Sequence, residues 1–311
     1  PAESGFTSMV DLTSTTRINE SLVEVLTVAL LDGSNEPIQP DGPIRLRGAT
    51  LDRYRGDGIW EPSSRARADW RNDLNADEWH TLQTTRTFEL DSDRVVVQQI
   101  DLTTPLDTLF SMSVPLAIRT PVPIALEYNS YTQVLEVTGE TAPLRYEIQV
   151  LPGPPQGLPA RLTWDRYQNE NVAEEARRLL TEAGLPVRRP RTPAEATAWT
   201  LEASALFSRH LSRDGYRYSL DLTHLSRQEF DGRDPVERFL LIDRTGHCEF
   251  FAAALVAMCH TVDINARMVT GFVSDRFDPL TNRYVVLEAD AHAWVEVEAM
   301  PGDWRTFDPT P

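Results

Sequence analysis

Gly246-His247-Cys248-Glu249-Phe250-Phe251-Ala252, running on through Ala253 to Met258, decides how this 311-residue chain is read. A turn-permitting glycine gives way to an apolar run suited to a buried helix, with the cysteine in its first turn. A thiol placed there faces backbone N–H groups without intrahelical partners and the positive end of the helix dipole. Both favour thiolate, the reactive form. Gly246 has no side chain and leaves room for a substrate backbone. The same pattern also suits an inert core cysteine, so the segment needs partners before it means chemistry.

Two candidates lie downstream. Asp290-Ala291-His292-Ala293-Trp294-Val295-Glu296-Val297 alternates strictly, so His292 shares a strand face with Asp290, Trp294 and Glu296, while small and branched residues face the core. A histidine fixed on a strand suits a general base beside a thiol. Thr306-Phe307-Asp308-Pro309-Thr310 ends the chain, with Asp308 just before a proline that cannot continue a ladder. An aspartate on the second imidazole nitrogen fixes the tautomer and favours imidazolium. Strand parity tests the pairing. A regular two-residue turn at Pro301-Gly302 would turn Asp308 away from His292, so an odd-length connection or a bulge is expected.

Upstream, the first half reads as strands: Val23 to Leu31, Thr84 to Leu90, Arg94 to Leu102, Gln133 to Thr138 and Leu144 to Val150, with Asp91-Ser92-Asp93 as a turn. The segment around Trp60, Trp70 and Trp79 lacks a period and is expected to be a loop with short helical turns. Leu151 to Pro159 is rich in proline and glycine and reads as a connector. The expected domains are therefore 1–155, β-rich, and 156–311, catalytic. Beyond the connector the period changes to about 3.6. Helices are expected over Trp164 to Ala183, from a capping box at Thr192 to about Leu211, and from Asp234 to about Leu241. Strands follow at Ala266 to Val273, Tyr284 to Ala289, Ala291 to Val297 and Trp304 to Phe307. Helices followed by an antiparallel sheet make an α+β domain.

Composition narrows the partners. The net charge of −17 disfavours nucleic acid and anionic membrane surfaces. All 30 basic residues are arginine, so the chain is a poor amine substrate. Phe250 to Cys259, the longest apolar run, is about half of what spans a membrane. Pro1 is not an initiator methionine, and both ends read as cuts in a longer protein. On one helix Cys248 and Cys259 stand about 16 Å apart, beyond the roughly 7 Å that a disulfide tolerates. His247 beside Cys248 and His260 beside Cys259 do not have the arrangement of a tetrahedral zinc site, and no metal or cofactor is expected.

Taken together, GHCEFFAAALVAM, INARMVTGFV, DAHAWVEV and WRTFDPT resemble the bacterial branch of the transglutaminase-like superfamily over roughly Tyr216 to Thr310. The resemblance implies a papain-like catalytic fold and a triad of Cys248, His292 and Asp308. It gives Arg244 and Asn265-Ala266-Arg267 structural roles. LRGATLDRYRGDGIW, Leu46 to Trp60, is similar to the region preceding the catalytic domain in membrane-anchored members, which implies an extracytoplasmic location. Animal members have tryptophan where this chain has Glu249, and their calcium segments have no counterpart, so calcium is not implied. Oxyanion donors stay open between the Cys248 N–H and the hydroxyl of Tyr216 or Tyr218. His247 and Trp294 are further candidates for contacting substrate. Glu249 suits the helix dipole yet opposes thiolate formation. The implied reaction is acyl transfer from a glutaminyl or peptide carboxamide to an amine or water, with cell-envelope components as possible substrates. A silent binding or scaffold module and a cysteine peptidase or deamidase are the alternatives.

Overall fold

The computed structural model describes residues 2–3, 5–13, 18–63, 68, 70–82, 95–139, 143–151, 166–213, 215–223 and 232–311. The expected strand Thr84 to Leu90, the turn at 91–93, Arg94 and most of the connector at 151–159 lie outside these residues.

The first half forms the strands its alternation foretells. Glu24–Leu31, Val96–Leu102 and Leu144–Val150 pair antiparallel in the middle of a seven-stranded sheet. Their inward residues, among them Leu26, Val28, Ile100, Tyr146 and Ile148, are buried in one core. A four-stranded sheet carrying Trp70–Leu74, Ile124–Asn129 and Val134–Thr138 closes over that core.

The tryptophan-rich segment corrects the expectation of a loop with helical turns. Ile59–Glu61, Trp70–Leu74 and His80–Thr81 are strands. Each is two to five residues long, too short to display a period. Trp60 is fully buried against Tyr54 and Tyr167, with ring centroids 5.0 and 6.3 Å away.

The C-terminal half packs helices on a sheet. Glu170–Glu182 begins where the Asn169 side chain accepts from Val172 N–H, six residues later than the periodicity suggests. Pro193–Arg213 follows its capping signal. Asp234 caps the short helix Pro235–Arg238, which widens into a turn over Phe239–Asp243. The helix Cys248–Thr261 is buried from Phe250 to His260, which explains its apolar composition on all sides. Tyr284 to Ala289 is strand only to Leu287, with a tight turn over Glu288–Asp290.

The two halves interleave. The sheet under the buried helix has the order Asp303–Phe307, Ala291–Met300, Ala266–Ser274 and then Ile44–Leu51, a strand of the N-terminal half. In return, Arg283–Leu287 pairs with Glu24–Leu31 in the seven-stranded sheet. Ala293, Val295 and Val297 face the helix core, as the alternation requires. The opposite face is locked by charge. Glu296 is fully buried and receives Arg47 Nε at 2.7 Å and Arg267 Nε at 2.8 Å, while Arg267 lies 3.8 Å over Trp304. Burial opposes ionisation of Glu296, but the two guanidiniums hold its carboxyl below the ordinary range. Removing Glu296 would strand two buried guanidiniums, at a cost of about 3–5 kcal/mol. Arg267 is thus structural, and the shared bonds of Arg47 and Arg267 to Glu296 bolt the N-terminal strand to the C-terminal sheet.

Candidate active site

Cys248 opens its helix behind His247, which is extended at φ −93° and ψ −179°. The approach is tightly built. Arg244 closes the preceding turn in the left-handed region at φ 48°, its N–H bonding Phe239 O at 3.0 Å. Thr245–Gly246 then pairs in parallel with Arg217–Tyr218. A Cβ on Gly246 would come within 2.7 Å of Phe250 Cβ, so packing alone demands glycine there.

His292 stands opposite Gly271 near the start of its strand. Asp308 reaches it because of a register shift. Met300 pairs with Asp303 across Pro301-Gly302, and a bulge between Glu298 and Met300 then moves the ladder by one residue. Continuing that register sets Asp308 across from Trp294, on the same face as His292. A two-residue turn is present, and the bulge restores the parity that it alone would break.

The outcome is a connected set. His292 Nε2 lies 2.9 Å from Asp308 Oδ2, and Cys248 is near enough to the imidazole to act on its ionisation. Burial alone would lower the imidazole. The bond to Asp308 and the nearby Cys248 outweigh it and push His292 up to about 10. Burial likewise opposes charge on Asp308, but His292, the Thr310 N–H and Arg45 hold its carboxyl below the ordinary range. Both directions describe one imidazolium–carboxylate pair. Arg45, from the N-terminal strand, places Nη2 3.6 Å from Asp308 Oδ2. Sequence reasoning missed this residue, since no local signal shows that its strand joins the catalytic sheet.

A cleft open at its mouth reaches Cys248, which is itself buried at 9% exposure. Cys248, His247, Glu249, Tyr218 and His292 line it together with Gly5, Phe6, Thr7, Ile18 and Glu20. The other candidates divide. Tyr218 is half-exposed at the cleft, and burial together with Cys248, Glu20 and Glu249 pushes its phenol up. Tyr216 is outside the cleft: it is buried, and its hydroxyl donates to Leu240 O at 2.7 Å. Trp294 is also buried and does not line the cleft; it stacks behind the imidazole at 6.4 Å. His247 lines the cleft, and burial lowers it to about 4. Its Nδ1 lies 3.7 Å from Glu249 Oε2, but an imidazole so lowered is neutral near pH 7, so the contact is not an ion pair. Burial, with Asp11 nearby, raises Glu249 to about 7. Cys248 N–H and Glu249 N–H, in the first turn, have no intrahelical acceptor and are available to an oxyanion.

Cys259 and His260 belong to the core. Burial pushes the Cys259 thiol up to about 12. His260 accepts from Tyr167 N–H at Nδ1 and meets Ala266 O at Nε2, which occupies both ring nitrogens.

The chain matches the model of the transglutaminase-like superfamily over residues 200–309 and that of the TgpA N-terminal domain over residues 1–157. Protein-glutamine gamma-glutamyltransferase of Pseudomonas aeruginosa is 37% identical over 79 residues, 25% of this chain and 12% of that protein. The uncharacterized protein YebA of Bacillus subtilis is 30% identical over 105 residues, 32% of this chain and 14% of that protein. This chain therefore spans only a small part of either curated relative. Among solved structures, the periplasmic domain of TgpA from Pseudomonas aeruginosa bound to ethylmercury aligns with 98% of this chain and 96% of its own, at a TM-score of 0.58 and 20% identity. A second structure of that domain gives a TM-score of 0.56 and 18% identity, covering 98% of this chain and 94% of its own. That likeness is one of fold.

Proposed function

We propose that this chain, which belongs to the transglutaminase-like superfamily and carries a TgpA N-terminal domain, is the extracytoplasmic catalytic part of a membrane-anchored cysteine acyltransferase. The observation that carries the reading is His292 bonded to Asp308 while Cys248 and His292 line one cleft. The location draws support from the likeness to a periplasmic domain and from the family's N-terminal domain.

In this reading the Cys248 thiolate attacks the carbonyl carbon of a glutaminyl carboxamide, and the first-turn N–H groups receive the developing oxyanion. The His292 imidazolium gives its proton to the leaving ammonia, and a thioester remains on Cys248. Asp308 holds the ring in the orientation this transfer needs and stabilises its charged form. An amine then takes the acyl group to give an isopeptide bond; water entering instead gives the acid.

The test is hydroxamate formation from a blocked glutaminyl dipeptide and hydroxylamine. Wild type forms it, and Cys248→Ala does not. Equal signal from both proteins, or none from a folded wild type, would leave the scaffold reading in place.

A further inference from the structure

The wall of the cleft beside Cys248 is chemically uneven. Glu249 follows the nucleophile on its helix, Glu20 arrives from the N-terminal segment, and both line the cleft. Tyr218 lines the same cleft. Ile18 and Leu220 supply an apolar strip alongside, held by the bond from Ile18 N–H to Leu220 O at 2.9 Å. A second feature points to a ligand independently of the carboxylates. The His247 side chain is only 9% exposed, lines the same cleft, and has no hydrogen-bond partner among the described residues. Its ring nitrogens therefore face whatever occupies the cleft, water or a ligand, rather than a protein group.

We propose that Glu249, Glu20 and the His247 ring form the acceptor subsite for a primary alkylammonium, with Glu249 taking one proton from it before the amine attacks the Cys248 thioester. This rests on the acyl-transfer reading. The carboxylates match the ammonium charge, the neutral imidazole offers a lone pair to one of its N–H groups, and the apolar strip matches a methylene stem. The step balances. The ammonium gives one proton to the Glu249 carboxylate, and the free amine bonds to the thioester carbon. The carbon–sulfur bond breaks, Cys248 leaves as thiolate, and the second amine proton passes to the His292 imidazole. The product is a secondary amide, the imidazolium–thiolate pair is restored, and Glu249 returns its proton to solvent. Burial raises Glu249 to about 7, which makes it a better proton acceptor than an ordinary carboxylate. The chain itself offers no lysine, so its own side chains do not compete for the site.

The experiment compares two acceptors on the same glutaminyl donor: 1,5-diaminopentane, a cation, and hydroxylamine, uncharged near pH 7. Glu249→Gln and Glu20→Gln should each lower the ratio of kcat/KM for the diamine over that for hydroxylamine, by about tenfold for Glu249→Gln, as loss of a charged hydrogen bond predicts. A ratio that stays at the wild-type value in both variants overturns the subsite while leaving acyl transfer intact. Absence of any hydroxamate with wild type overturns the acyl-transfer reading and the subsite with it. Because Glu20 sits on a different element, its variant decides the matter even where Glu249→Gln folds poorly.

Discussion

Replacing Glu249 by glutamine removes a charge that the fold holds against its preference. Moving the carboxyl from 4.5 to about 7 corresponds to roughly 3 kcal/mol against the ionised form, at about 1.36 kcal/mol per pH decade. The side chain is 22% exposed, and cleft water screens it, so about half, ~1.5 kcal/mol, is the expected effect. The sign follows from linkage. A carboxyl raised in the fold is favourable while protonated, below about pH 4.5, and that benefit is lost as pH rises through about 7. Glu249→Gln should therefore stabilise the protein at pH 8.5 and change little at pH 5. For a chain of 311 residues, at about 2.1 cal/mol/K of unfolding entropy per residue, the gain is roughly 2 °C in thermal midpoint. Thermal melts of both proteins at both pH values measure it. An equal change at the two pH values, or destabilisation at pH 8.5, would refute the reasoning. A carboxylate kept in the cleft at a cost in stability is what a substrate-facing role predicts.

Asp308→Asn keeps the shape of the triad but removes the charge that holds the imidazolium. Turnover should fall on the order of 10³–10⁴-fold, with iodoacetamide labelling of Cys248 at pH 6 slowed as well; unchanged rates would exclude Asp308 from the machinery. Arg45→Gln removes a cation 3.6 Å from Asp308, so the Asp308 carboxyl should rise and the acid limb of the pH–rate profile should move to higher pH; a profile identical to wild type would make Arg45 irrelevant to the triad. Gly271→Ala would place a Cβ 1.9 Å from Leu46 O. Separating those strands should cost about 3 kcal/mol or more, read as an earlier urea midpoint; an unchanged midpoint would contradict the observed strand spacing.

The helix Cys248–Thr261 was legible because a long apolar run follows Gly246, and a fully buried helix needs no amphipathic period. The placing of His292 and Asp308 on one face followed from alternation and parity, which called for an odd-length connection or a bulge; the structure has a bulge between Glu298 and Met300. What stayed hidden depends on distant pairing. Arg45 and Glu20 come from the other end of the chain, and no local pattern reveals that Ile44–Leu51 becomes the fourth strand of the catalytic sheet. Tyr216 and Tyr218 were equivalent in sequence; the two-residue pairing of Arg217–Tyr218 with Thr245–Gly246 sends one hydroxyl into the core and leaves the other at the cleft. Trp60 and Trp70 sit on strands too short to announce themselves, and their burial comes from neighbours far along the chain.

Intact-protein mass spectrometry after mixing with a glutaminyl peptide, quenched in acid within the first turnover, tests acyl transfer at Cys248 most directly. The expected species is protein plus peptide minus ammonia, mapped to Cys248, released by hydroxylamine and absent in Cys248→Ala. An adduct that persists in Cys248→Ala, or no adduct in a wild type whose Cys248 is readily alkylated, would contradict it.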